Sequence, residues 1–227
     1  MMNGMTDDVA TFWRDIVSWL ETNTPCEIVR IRPPASDASI AEIESAIGHP
    51  VPDSMRQWWQ LTDGVTQVGT PVIPPRFAPL PCAMALQEMQ LRLSIMTDEP
   101  IIPNDGSIDT AGESTHRFHH LFLPIAEDNS GDLICIDLRS GHLQGCLILW
   151  DHEGGWHDAF LWTNVAAMLE DVRNAMRDGT PALSAYAIRH ARYFAGYDIE
   201  HVAWKADVSP SMELSWKSER VEVPDVE

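Results

Sequence analysis

Four apolar runs of strand length lie close together in the second half of the chain, and this spacing constrains the fold more than any other feature. The runs are residues 119–126, 133–138, 146–151 and 156–160. Only short turn-rich segments connect them, whereas parallel neighbours need a crossover of about a dozen residues or more. The sequence therefore predicts an antiparallel meander. Residues 133–136 are apolar without alternation, which predicts a strand covered on both faces.

Helical patterns lie on both sides of this predicted sheet. Their apolar residues recur at spacings of three and four, as expected when one helix face packs on a core. Ser39 with Glu42 has the spacing of a capping box, and Asp53 is expected to cap a short helix containing Trp58 and Trp59. The expected helices are residues 6–23, 40–47, a short segment from Asp53, 86–95 and 163–177.

The predicted fold class is therefore α+β, with N-terminal helices, a central antiparallel sheet and a closing helix. Residues 1–180 are expected to form this domain. Residues 181–227 are expected to add a C-terminal helix, over 183–194, and an extension that packs on the domain. Residues 65–81 are rich in proline and β-branched side chains, which predicts short edge strands and loop.

The charge of the chain restricts its partners. Asp and Glu number 34 against 15 Lys and Arg, which gives a formal charge of -19. Binding to nucleic acid or to anionic membrane needs clustered cations, so both are excluded as expected direct partners. A basic protein partner fits the charge of this chain. The sequence does not predict the oligomeric state of the chain.

Several features predict a cytoplasmic location. The N-terminus reaches Asp7 and Asp8 without a cationic segment and an apolar run, which argues against a secretory signal. No apolar run approaches the length of about 18 residues needed to span a membrane. The cysteines are far apart, without the short spacings of zinc or redox sites, and we expect reduced thiols. These cysteines are Cys26, Cys82, Cys135 and Cys146.

Two patterns resemble metal sites, but the first fails on residue type and the second on spacing. Asp128 begins a calcium-loop pattern, but Leu133 stands where the loop needs glycine and Arg139 where it needs a bidentate glutamate. The segment is instead expected to be a hairpin turn in which aspartates accept bonds from local backbone N–H groups. His152 and His157 are five residues apart, not the four of a helical zinc motif.

A second histidine cluster, His116, His119 and His120, is expected to be surface or strand-end histidines. If the segment is a strand, the last two point to opposite faces. No metal ion and no cofactor are expected.

No catalytic residues are predicted, and the chain is not expected to be an enzyme. There is no nucleophile elbow, no cysteine in a catalytic signature and no phosphate-binding loop. Acidic pairs such as Glu170 with Asp171 arise by chance in a chain this acidic.

The region of the predicted meander resembles a known family signature. Its residues are 123–138 (LPIAEDNSGDLICIDL), Gly141, Gly145 and Trp150-Asp151-His152-Glu153, preceded by Ile40, Ile43, Ile47-Gly48, Val51-Pro52, Trp58 and Asp63-Gly64. The pattern resembles that of the SUKH superfamily, which includes bacterial immunity proteins and the yeast Smi/Knr-type cell-wall-synthesis regulators.

The resemblance implies an α+β fold with a central antiparallel sheet. It also implies the role of most bacterial members, which neutralise a cognate toxin, often a nuclease, delivered by neighbouring cells. The matching Gly, Asp and Trp positions are interpreted as residues that make the fold, and none is carried over as catalytic.

The functional hypothesis is an immunity protein that binds a basic toxin domain stoichiometrically by electrostatic docking. The alternative is a non-catalytic scaffold or regulator of the same superfamily. The segment 97–115 has little apolar content and is expected to be a long exposed loop that contacts the toxin. Its candidate contact residues are Asp98, Glu99, Asp105, Asp109 and Glu113.

Overall fold

The computed structural model describes residues 6–23, 31–66, 71–96, 110–115, 117–153, 159–183, 191–197 and 202–208. Its helices are α1 (Thr6–Asn23), α2 (Asp37–Ile47), α3 (Asp53–Trp59), α4 (Cys82–Met96) and α5 (Val165–Asp178). Its strands are β1 (Ala78–Pro79), β2 (Phe122–Glu127), β3 (Leu133–Asp137), β4 (Cys146–Trp150), β5 (Ala159–Trp162), β6 (Ala191–Tyr197) and β7 (Val202–Val208).

The first five strands form one antiparallel sheet in chain order, which confirms the predicted meander and the α+β class. On β3, Cys135 lies opposite Pro124 of β2 and Ile148 of β4. All residues of β3 are buried, as the continuous apolar run predicted. The short strand β1 lies at the edge of the sheet, within the proline-rich segment expected to hold edge strands.

Helices α1, α2 and α5 bury the faces that their periodicity predicted. Helix α1 packs against α5 and α3, and α4 packs against β2. Trp13 of α1 and Trp58 of α3 meet edge to face, with ring centroids 5.6 Å apart. Trp58 and Trp59 are almost fully buried, so these tryptophans are core residues as expected.

Two predicted caps are wrong by a few residues. Helix α2 begins at Asp37 because the Ser36 hydroxyl accepts a hydrogen bond from the backbone N–H of Ser39, at 3.1 Å. Asp53 lies inside α3 and does not cap it, because Pro52 occupies the cap position. Helix α4 is also longer than predicted, since it begins at Cys82.

The predicted C-terminal helix over 183–194 is wrong where the structure describes it. Residues 191–194 belong to β6, which pairs with β7 along seven consecutive positions. Aromatic and β-branched side chains favour strands, and the pairing supplies the backbone hydrogen bonds that a helix would have provided. In β7, the Trp204 indole N–H donates to the carbonyl of Pro71, at 2.8 Å.

Residues 184–190 lie outside the described residues. The division of the chain near residue 180 stays a prediction. None of the helices that the structure describes is long and apolar enough to cross a membrane.

Candidate functional site

The structure describes one of the predicted toxin-contact residues, Glu113. This residue is exposed, in the segment 110–115. Asp98, Glu99, Asp105 and Asp109 lie outside the described residues.

The segment 110–115 is held against the C-terminal end of β3. The backbone N–H of Ala111 donates to the carbonyl of Ser140, at 2.9 Å. The N–H of Gly112 donates to Oδ2 of Asp137, at 2.9 Å, and Nη2 of Arg139 donates to the carbonyl of Glu113, at 2.7 Å. The backbone of Glu113 is therefore fixed, while its side chain stays exposed.

A buried ion pair makes this attachment possible. Asp137 and Arg139 are 0 % and 1 % exposed, and Nη2 of Arg139 lies 2.7 Å from Oδ2 of Asp137. The guanidinium carbon also lies 4.9 Å from the centroid of the Phe122 ring, within the range of a cation–π contact. In the sequence, Arg139 was singled out only as the residue standing where a calcium loop needs glutamate. Strand alternation does not predict the pair, because β3 ends at Asp137 and Arg139 lies beyond it.

The N-terminal end of β3 begins at the β2–β3 turn, which has the structure predicted for it. Oδ1 of Asp128 accepts from the backbone N–H groups of Ser130 at 2.9 Å, Gly131 at 3.0 Å and Asp132 at 3.0 Å. Gly131 has φ +105°, a conformation that side chains rarely adopt. The aspartate therefore satisfies local backbone donors, as expected for the hairpin turn.

Helix α4 and the loop after β4 meet at this turn. Nη2 of Arg92 donates to the carbonyl of Gly131 at 2.9 Å and lies 3.3 Å from the Glu88 carboxylate. Nδ1 of His152 lies 2.7 Å from Oδ1 of Asp132. A Cβ added to Gly131 would lie 3.3 Å from the His152 ring and 3.5 Å from Nη2 of Arg92. Three segments distant in the chain thus converge on one glycine.

These segments bring together a set of charged groups that we call the turn cluster. Six carboxylates and two guanidinium groups, with one histidine, leave the cluster with an excess of negative charge. Its members are Arg76, Glu88, Arg92, Glu127, Asp128, Asp132, Asp151, His152 and Glu153.

The surroundings shift two pKa values in the turn cluster. Burial, followed by repulsion from Glu88, raises the pKa of Glu127. The hydrogen bond to Asp132 raises the pKa of His152, because it favours the protonated imidazole. Neighbouring carboxylates thus contribute to both shifts, after burial in Glu127 and the hydrogen bond in His152.

Asp132, Asp151 and His152 are the members whose positions come nearest to a metal site. One potential ligand atom from each lies within 4.8 Å of the others. Two of these potential ligand atoms already bond to each other, because Nδ1 of His152 and Oδ1 of Asp132 are 2.7 Å apart. The geometry favours an ion pair at this position over a bound metal.

The structure also describes two other histidines that were considered in the sequence, His119 and His120. His119 and His120 lie just before β2, as expected for strand-end histidines. They are not on a strand, so the condition for opposite faces is not met, and their rings are 4.4 Å apart. The segment turns before β2 begins, and this turn removes the alternation assumed for a strand. His116 and His157 lie outside the described residues.

The cysteines that the structure describes are buried and unpaired. Burial raises the pKa of Cys82 to about 12 and that of Cys146 to about 12, and it also raises the pKa of Cys135. Since the thiolate is the reactive form, these thiols are core residues and poor nucleophiles. Cys26 lies outside the described residues.

Comparison with known proteins agrees with the resemblance seen in the sequence. A search of the curated proteins finds no match. The sequence model of the SMI1 / KNR4 family (SUKH-1) matches residues 34–171, more than half of the 227 residues. This match includes the whole meander and every residue of the turn cluster. The chain therefore belongs to the SMI1 / KNR4 family (SUKH-1).

Proposed function

We propose that this protein is an immunity protein that binds a cognate toxin domain and blocks it stoichiometrically, without catalysis. Membership of the SUKH family carries the proposal, because a toxin-immunity role is consistent with that family. The toxin we propose is a nuclease. A nuclease must bind phosphates, and the cationic cleft that this requires would attract an acidic chain.

The charge of the chain supports docking by electrostatic attraction. A formal charge of -19 attracts a cationic partner and accelerates association. Fast capture is useful when a toxin must be bound before it acts. The turn cluster gathers six carboxylates and two guanidinium groups, so part of this charge is concentrated in one region of the molecule.

The acidic segment that includes Glu113 remains a proposed part of the contact. The buried pair of Asp137 and Arg139 fixes the backbone at Glu113 and leaves its carboxylate in solvent. Asp98, Glu99, Asp105 and Asp109 are proposed with it from the sequence alone.

The first test is affinity capture of the tagged full-length chain from its native host, at low and then high salt, with mass spectrometry of the eluted proteins. We expect one basic toxin domain, released by salt. Recovery of several housekeeping proteins, or of none, would favour the alternative of a scaffold or regulator. Co-expression of the captured toxin with this chain should then restore growth of a sensitive host.

A charge-reversal variant tests the acidic segment. We expect Asp105→Lys, Asp109→Lys and Glu113→Lys together to weaken toxin capture and its salt dependence, because opposite charges across an interface are removed. The melting temperature should hardly change, since surface substitutions have small effects on stability. Binding and Tm are the two measurements.

The matched control reverses Glu21, Glu42 and Glu170, which are exposed on α1, α2 and α5. It makes the same change in net charge on other surfaces. Equal binding by both variants and the wild type would remove the acidic segment from the interface.

A further inference from the structure

Helix α4 exposes an uncharged face to solvent, which we call the α4 outer face. Its exposed residues are Ala83, Gln87, Gln90, Leu91, Ser94 and Ile95. Leu91 and Ile95 are 45 % and 52 % exposed, and they are the large apolar side chains most open to solvent in the part of the chain that the structure describes. Four residues apart on a helix, they form one apolar contact area.

This apolar area lies beside the turn cluster. Glu88 lies three residues before Leu91 and Arg92 three residues before Ile95, so each charged side chain has one of the two apolar side chains as a neighbour on the helix surface. Arg92 donates to Gly131 at 2.9 Å, which places the C-terminal half of α4 against the β2–β3 turn. The surface therefore has an uncharged, partly apolar centre, next to it the paired Glu88 and Arg92, and beyond them the rest of the turn cluster, in which carboxylates outnumber cations.

Such an arrangement is typical of protein interfaces, in which apolar anchors are surrounded by a polar rim. The negative charge of the border, formed by the turn cluster, indicates which kind of protein would bind to this face. A second copy of this chain would bring a charge of -19 and an equally acidic border, so repulsion opposes self-association through this face. A cationic protein with an apolar side chain to place on α4 fits both parts of the surface.

We infer that the α4 outer face, bordered by the turn cluster, is the surface on which this chain docks its basic protein partner. The inference rests on the proposed function and deepens it by locating the interface. Leu91 and Ile95 supply the apolar anchors, and their burial mainly slows dissociation. The exposed Glu153 and the other carboxylates of the turn cluster supply attraction, which mainly accelerates association.

This surface is distinct from the segment that contains Glu113. The β2–β3 turn lies at the N-terminal end of β3, whereas Glu113 is attached beyond its C-terminal end through Asp137 and Arg139. The two regions can therefore be tested separately by substitution.

The experiment measures binding kinetics between the full-length chain and the basic toxin domain recovered with it by affinity capture, purified in a catalytically inactivated form. Leu91→Gln with Ile95→Gln should lower affinity about tenfold or more, mostly through faster dissociation, because two apolar contacts are removed without any change in charge. Glu153→Lys should slow association and reduce its dependence on salt. Tm should stay close to the wild-type value for both variants.

The control variant is Ala41→Gln with Ser45→Gln, an exposed pair at the same spacing on α2, and it should bind like the wild type. If the wild type fails to bind the toxin domain, both the proposed function and this inference are wrong. If the wild type binds and Leu91→Gln/Ile95→Gln binds equally well, only the docking surface is wrong. A wild-type dimer in sedimentation that this variant dissociates would assign the face to a second copy and overturn the inference.

Discussion

The two ends of β3 use the same kinds of residue for different purposes. At the C-terminal end, Asp137 and Arg139 form a pair that is almost fully buried. At the N-terminal end, Asp128 is 2 % exposed but its partner Arg76 is 69 % exposed, with Nη2 and Oδ2 3.1 Å apart. One arginine is enclosed by the protein and the other is in water.

The difference shows that the environment of an ion pair decides its role. A charge left unpaired in the interior cannot be hydrated, so loss of one partner from a buried pair is costly. An exposed arginine regains water when its partner is lost, and such pairs contribute little to stability. The buried pair is therefore structural, whereas exposed charges at the other end remain available for a partner.

The largest effect is expected for Asp137→Ala. It leaves Arg139 buried without its carboxylate and removes the acceptor for the N–H of Gly112. We expect the free energy of unfolding to fall by about 3–5 kcal/mol, measured by urea denaturation.

The control is the double variant Asp137→Leu with Arg139→Met, which removes both charges. Apolar replacement of a whole buried pair is often neutral or stabilising, so this variant should be more stable than Asp137→Ala. A loss below about 1 kcal/mol for Asp137→Ala would mean that the pair is not what holds the segment 110–115.

A smaller effect is expected for Asp128→Ala at the β2–β3 turn. The substitution removes the acceptor for three backbone N–H groups, and we expect a loss of about 1–3 kcal/mol in unfolding free energy. Arg76→Ala is the matched control and should change stability by less than about 0.5 kcal/mol. Equal losses in the two variants would show that Asp128 stabilises the protein through its ion pair with Arg76 and not through its bonds in the turn.

The smallest effect is a dependence of stability on pH through His152. Its pKa is raised in the folded protein by the hydrogen bond to Asp132, so the folded state favours the protonated ring. This contribution is present in full below the unfolded pKa of about 6.5 and is lost as pH rises through the higher folded pKa. The free energy of unfolding should be larger for the wild type than for His152→Ala at pH 5.5, and this difference should be smaller at pH 8.

Urea denaturation at several pH values measures this difference, and NMR titration of the His152 ring measures the pKa itself. We expect less than about 1 kcal/mol, because the pair is partly exposed. A difference that grows with pH, or a ring pKa below 6.5, would contradict the assignment.

Much of the fold could be predicted from the sequence because its signals are local. The periodicity of residues 6–23 gave the bounds of α1, and the short turn segments gave the antiparallel order of β2 to β5. The β2–β3 turn was predicted because Asp128 bonds to residues within four positions of itself. The helix expected over 183–194 failed because strand pairing between β6 and β7 overrode a helical pattern.

The candidate site was less accessible from the sequence. The acidic character of the chain was evident, but the low amphipathicity of α4 did not show which apolar side chains would stay in solvent. Leu91, Ile95 and Met89 are all apolar, so residue type does not distinguish them, yet Met89 is buried against the core. Only the orientation of α4 on β2 separates them.

The sequence by itself determined the α+β class, the meander, the buried tryptophans, the strong negative charge and the family. These properties follow from composition, from local periodicity and from turns whose contacts span a few residues. The tertiary structure decided that Arg92 reaches Gly131, 39 positions away, and that Arg139 reaches Glu113, 26 positions away. Such contacts depend on how finished elements pack against one another, and that packing gathers the turn cluster beside the α4 outer face.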